Sequence, residues 1–202
     1  MDKKFLILIS ALGILFSSCE QNKKDEKKEQ IEQKNQELEP LGMIKLYKSI
    51  DSKLHYWETW DKDTKTGIVH WGEVGTQGQF KEVKSGLMTN YANKVRKEME
   101  EKRKEGFSEF NEDNYAFLEI EYKIDGFGTE EDLDKRHRLE SKMDEVLGWT
   151  GLGNTDGGSI GSGTMEVGCI VVDFEIAKKV VEHSLKNTEF ENYSRIFNMG
   201  EE

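Results

Sequence analysis

The longest apolar run in this 202-residue chain, Phe5 to Phe16 (FLILISALGILF), stands at its very start and is followed by Ser17, Ser18, Cys19 and a long polar stretch. The run is too short to cross ~30 Å of hydrocarbon as a helix, which takes about 20 residues. Placed behind Lys3 and Lys4, it has the length of a signal-peptide core. The stretch that follows, EQNKKDEKKEQIEQKNQELEPLG (20–42), holds only three large apolar residues, Ile31, Leu38 and Leu41. Such a segment cannot bury enough surface to offset the entropy of ordering it. It reads as a tether ahead of the folded part. The expected layout begins with a signal peptide (1–18) and a tether (19–42).

The order Phe16-Ser17-Ser18-Cys19 resembles a bacterial lipobox, with Phe where Leu is more usual. The resemblance implies cleavage before Cys19 and acylation of its thiol. A thiolate is the nucleophile such an alkylation needs. Each buried CH₂ of an attached chain contributes about 0.8 kcal/mol, and stable anchoring takes more than one chain. The protein is then expected in the cell envelope, exported from the cytoplasm and held to a membrane by lipid such as palmitate. The charged tether would keep the folded part away from the bilayer.

Charge divides the rest. Residues 43–110 carry a net +2 and residues 111–202 a net −12, which suggests two modules. An anionic second half should be repelled by nucleic acid and by anionic headgroups. The only two cysteines, Cys19 and Cys169, sit in contexts too different for a disulfide to be expected.

In the first module, Ile44–Tyr47, Lys53–Trp60, Ile68–Trp71 and Phe80–Val83 read as strands, with a turn over Asp61–Gly67. A helix is expected from about Leu87 to Lys104. Leu87, Tyr91, Val95 and Met99 would form its apolar face, and Lys94–Glu98 and Glu98–Lys102 would pair on the other side. The second module reads as strand, helix, strand, strand, helix, strand. Strands are placed at Ala116–Ile124, Met165–Val172 and Tyr193–Phe197. The helices are capped by Thr129 and Asp173. This order predicts a ferredoxin-like βαββαβ sandwich behind a small antiparallel sheet with one helix, an α+β chain overall.

The run His70-Trp71-Gly72-Glu73-Val74-Gly75-Thr76-Gln77-Gly78-Gln79, preceded by Tyr56-Trp57-Glu58-Thr59-Trp60, resembles a WGR domain over about residues 43–110. The helix ending Lys102-Arg103-Lys104-Glu105-Gly106-Phe107 is similar to that family's closing helix. The resemblance implies a nucleic-acid surface built on the Trp and Arg of the motif. Trp71 and Gly72 match it, but Glu73 stands where the Arg belongs. A carboxylate repels phosphate where a guanidinium would bind it bidentately. The C-terminal half is weakly similar to uncharacterised ferredoxin-like bacterial domains, some of them immunity-like.

Candidate chemistry is sparse. Gly151 to Gly163 could present backbone N–H groups to an anion, with Asp156, Gly157 and Gly158 at its centre, but it lacks the phosphate-loop order and reads as a mobile hairpin connection. The four histidines show no ligand spacing and read as surface positions, so no metal and no cofactor is expected. Cys169 reads as a small buried hydrophobe, and no catalytic constellation is visible. Tyr56, Trp57, Trp60 and Trp71 cannot all share one face of a small sheet. Some should form a binding patch or a contact between modules. The chain is therefore expected to be a binding or interaction module for a protein partner, and its acidic half suits a basic one. A nucleic-acid-binding lipoprotein and an enzyme with a scattered site are the alternatives. Any small-molecule ligand is left open.

Overall fold

The computed structural model describes residues 40–201, so the signal segment, Cys19 and most of the tether lie outside the described residues. The fold is α+β, two four-stranded antiparallel sheets with helices. The first sheet runs in chain order: β1 (Ile44–Ile50), β2 (Lys53–Asp63), β3 (Thr66–Glu73) and β4 (Gln79–Lys84). Its strands are longer than the sequence reading placed them. The expected turn over Asp61–Gly67 contracts to Thr64 and Lys65, because a bulge at Asp61/Asp63 lets both strands continue. Asp63 Oδ1 accepts the Lys65 N–H at 2.8 Å and closes that turn. β4 is an edge strand, and Lys81, Glu82 and Lys84 along it discourage pairing with another chain.

Helix α1 (Tyr91–Lys104) covers one face of this sheet. It buries Tyr91, Ala92, Val95 and Met99, of which Val95 and Met99 pack with Leu46, Trp57 and Val69, and Phe107 and Leu41 close the cluster. The helix starts at Asn90 rather than near Leu87, and Leu87 and Met88 are fully exposed. Local hydrogen bonds outcompete the apolar periodicity there. The Asn90 side chain accepts the Asn93 N–H at 2.8 Å, and Ser85 Oγ accepts the Tyr91 N–H at 3.1 Å. The i,i+4 pairs expected along the helix are replaced by longer-range partners. Glu98 meets Lys81 of β4 at 2.8 Å, and Lys94 donates to the Lys84 carbonyl at 2.8 Å.

The second sheet has the order β6-β7-β5-β8, from β5 (Ala116–Lys123), β6 (Gly153–Gly161), β7 (Thr164–Val171) and β8 (Arg195–Asn198). Helices α2 (Glu130–Gly148) and α3 (Phe174–Leu185) connect them in the βαββαβ order. Alternation decides the faces. Leu118, Ile120 and Tyr122 of β5, and Met165, Val167, Cys169 and Val171 of β7, point to one core. Leu139, Met143 and Leu147 of α2 and Ala177, Val181 and Leu185 of α3 fill its other side. Each fully buried large aliphatic chain contributes about 1.5–3 kcal/mol, so this cluster dominates the stability of the unit. Thr129 and Asp132 form a reciprocal capping box at the start of α2.

The two sheets are not independent. Tyr47, Tyr56 and Val74 of the first belong to the core cluster of the second. Tyr47 Oη donates to the Gly151 carbonyl at 3.1 Å, and Gly75 N–H donates to the Thr150 carbonyl at 2.9 Å. Gly151 has φ +64°, and a Cβ there would run into the Tyr56 ring, so the junction requires glycine on both counts.

Candidate functional site

Strand β3 separates two environments because its side chains alternate. Val69 and Trp71 face α1, while His70 and Gly72 face the second unit. On the helix side, Trp71 lies opposite Trp57 of β2. The two indoles line a groove of about 420 Å³ with Ile50, Phe107, Lys81 and Lys102, and with Tyr56 and Gly72 at its wall. Trp57 is buried, and its Nε1–H has no acceptor among the described residues. Such a donor costs about 1–3 kcal/mol while it stays unpaired. Lys81 stands 5.7 Å from the Trp71 ring centre. The charges around the groove cancel: Lys81 pairs with Glu98 at 2.8 Å and Lys102 with Glu105 at 2.7 Å.

On the opposite side lies a buried polar network that the sequence reading missed. His70 is fully buried, not a surface position. Its Nδ1 is hydrogen-bonded to Glu58 Oε1 at 2.7 Å, and its Nε2 lies 2.7 Å from the Gln77 carbonyl oxygen. Tyr56 Oη lies 3.0 Å from the same Nε2 and donates to the Thr76 carbonyl at 3.2 Å. Lys45 Nζ stands 3.2 Å from the other Glu58 oxygen. Burial first, and then the charge of Glu58, push the Tyr56 hydroxyl well above its usual range. The network ties the 74–78 loop to the sheet. Gly72 permits this approach, since a Cβ on it would come 2.7 Å from Gly78 Cα and 3.1 Å from Tyr56 Oη.

Trp60 does not join the Trp71 groove. It turns to the second unit and packs edge-on against Trp149, the residue that ends α2, with ring centres 5.9 Å apart. His70 and Phe80 meet the same Trp149 ring at 5.1 and 5.8 Å. The aromatic residues of the first sheet are thus divided, Trp57 and Trp71 lining the groove and Trp60 in the contact between units. Glu73 sits outside the groove and accepts from Lys53 at 2.9 Å.

The glycine-rich segment is a strand rather than a mobile connection. Gly153–Gly161 pairs with β7 throughout, with a bulge at Thr155/Gly157, and Ser162 and Gly163 make the turn between the two strands. Asp156, Gly157 and Gly158 are exposed on this edge strand, away from the Trp71 groove. Asp144 of α2 accepts from Thr155 N–H at 2.9 Å and from its hydroxyl at 2.7 Å, and Arg136 donates to the Gly158 carbonyl at 2.7 Å. Ladder and helix together hold a sequence that composition alone reads as loop. Cys169 is a buried free thiol, and burial, followed by the charges of Asp144 and Asp156, pushes it up to about 12.

Among the described residues, no group of three or more His, Cys, Asp or Glu could hold a metal ion, and no helix is long and apolar enough to cross a membrane. Comparison with protein-family models, with curated proteins and with solved structures found no match.

Proposed function

We propose that this protein is a membrane-tethered binding module of the bacterial cell envelope, anchored through Cys19, that engages a protein partner through the Trp71 groove. The observation that carries the reading is the pairing of an aromatic groove with a buried, unpartnered donor, Trp57 Nε1–H. A polypeptide segment supplies what the groove lacks. An apolar side chain fits between Trp71 and Phe107, and a peptide carbonyl that reaches Trp57 relieves the unpaired N–H. The balanced ion pairs at the rim favour an occupant without strong charge of its own. The acidic second unit then favours a partner that is basic elsewhere, through steering and complementarity. An immunity-like role, the sequestering of a basic toxin, is one form of this reading. The WGR resemblance enters as a scaffold for the groove. Glu73, occupied by Lys53, weighs against use of the motif on nucleic acid.

The test has two arms. In the first, the full chain is expressed with a photo-crosslinking residue at Gln79, and partners are captured from intact cells. A partner whose capture disappears with Trp71→Ala but persists with Phe127→Ala, an exposed aromatic between β5 and α2 and outside the groove, supports the groove; capture indifferent to Trp71 overturns it. In the second, Cys19→Ala should move the protein out of the membrane fraction, and its retention there would remove the anchor from the proposal.

A further inference from the structure

A second groove, of about 470 Å³, lies where the two helices of the second unit meet the 74–78 loop. It is lined by Lys142, Val146 and Trp149 of α2 and by Lys179, Val180 and His183 of α3. The spacing explains the convergence. Residues 142, 146 and 149 fall on one face of α2, and 179 and 183 on one face of α3. The valines and the indole make an apolar floor and wall, and the cationic groups stand around them.

Residues 111–202 carry a net −12, and the arginines there all have carboxylate counterparts. Arg136 pairs with Glu140 at 3.0 Å, Arg138 with Glu189 at 2.7 Å and Arg195 with Glu121 at 2.9 Å. Lys135 donates to Asn192 and lies 4.4 Å from the Tyr122 ring centre. Lys142, Lys179 and His183 have no ion pair among the described residues, yet they line one groove together. A single carboxylate, Glu145, lines it with them. In an acidic unit, two lysine charges and an imidazole N–H donor gathered without partners favour an anion.

We propose that this groove binds a small organic anion, a carboxylate, phosphate or sulfonate carried on a flat apolar body. The charged group would meet Lys142, Lys179 and His183, and the apolar body would lie on Val146 and Val180 beside Trp149. The groove is separate from the one at Trp71, and the inference stands whether or not a protein partner uses the latter.

The experiment is calorimetric titration of the full chain with naphthalene-1-sulfonate, and with uncharged naphthalene-1-methanol as its matched control. The sulfonate should bind with a Kd below about 1 mM, and the alcohol about tenfold more weakly. Raising the salt should weaken the sulfonate alone. A Lys142→Ala/Lys179→Ala variant, altered only at helix positions outside the core, should keep its melting temperature and lose about tenfold in sulfonate affinity. Lys81→Ala, in the Trp71 groove, should bind the sulfonate as the parent does. Equal affinity for the two probes, full affinity in the double variant, or loss in Lys81→Ala instead would each overturn the proposal, as would the absence of binding.

Discussion

A buried imidazole, bonded at both nitrogens, is the residue on which the first sheet turns. Removing His70 leaves Glu58 inside the protein with Lys45 as its remaining partner and frees the Gln77 carbonyl. His70→Ala should lower the unfolding free energy by about 3 kcal/mol, measured by urea denaturation. A loss below 1 kcal/mol would mean that the network is ornamental. Asp61 offers a test in pH. Burial raises its carboxyl, but hydrogen bonds from the Tyr91 hydroxyl and from the Gly42 and Leu41 amides outweigh that and hold it low. A carboxyl lowered by folding contributes stability that is present above its unfolded value, about 3.9, and fades as pH falls through the lower folded value. Asp61→Asn should therefore melt below the parent at pH 7, and the gap should narrow in acid. At Cys169 the expected outcome is inertness: with the thiol raised to about 12 and buried, iodoacetamide at pH 8 should modify it only after unfolding. Its burial was legible in the sequence, because Met165, Val167, Cys169 and Val171 alternate along one face of a strand. That of His70 shows only in the unbroken run Ile68-Val69-His70-Trp71, because a strand buried on both faces loses its polar alternation.

Elements follow their local chemistry where it is strong. Thr129 and Asp173 were identifiable as caps because a side-chain oxygen at a helix start satisfies an otherwise orphaned N–H. The apolar spacing extends to Leu87, but Asn90 caps α1 and sets its start there. Asn90→Ala should cost about 1 kcal/mol, seen as a lower denaturation midpoint with an unchanged slope. β6 is hard to read for a different reason: glycine lowers strand propensity, and its ladder is imposed by its hairpin partner β7 and by Asp144 of α2, contacts that composition does not reveal. The groove at Trp71 was half legible. Tyr56, Trp57, Trp71 and Gly72 stood out as aromatics and motif residues, whereas the orphaned indole N–H depends on packing that no local pattern reveals.

Across the whole molecule, the two units differ in charge but share a core through Tyr47, Tyr56 and Val74. They should unfold together, in one calorimetric transition, and two resolved transitions would show the junction to be weak. Gly151→Ala tests the same seam. A left-handed backbone without glycine costs roughly 1–2 kcal/mol, and the new methyl would collide with the Tyr56 ring. The variant should melt at lower temperature as a whole, without one unit coming loose first. The alternating side chains of β3 carry this unity further. One ribbon of backbone holds Trp71 toward one solvent-facing hollow and, through His70, the loop that rims another. An occupant that displaced this ribbon would alter how readily the other hollow is filled, and thermodynamic reciprocity requires the influence to run equally in both directions.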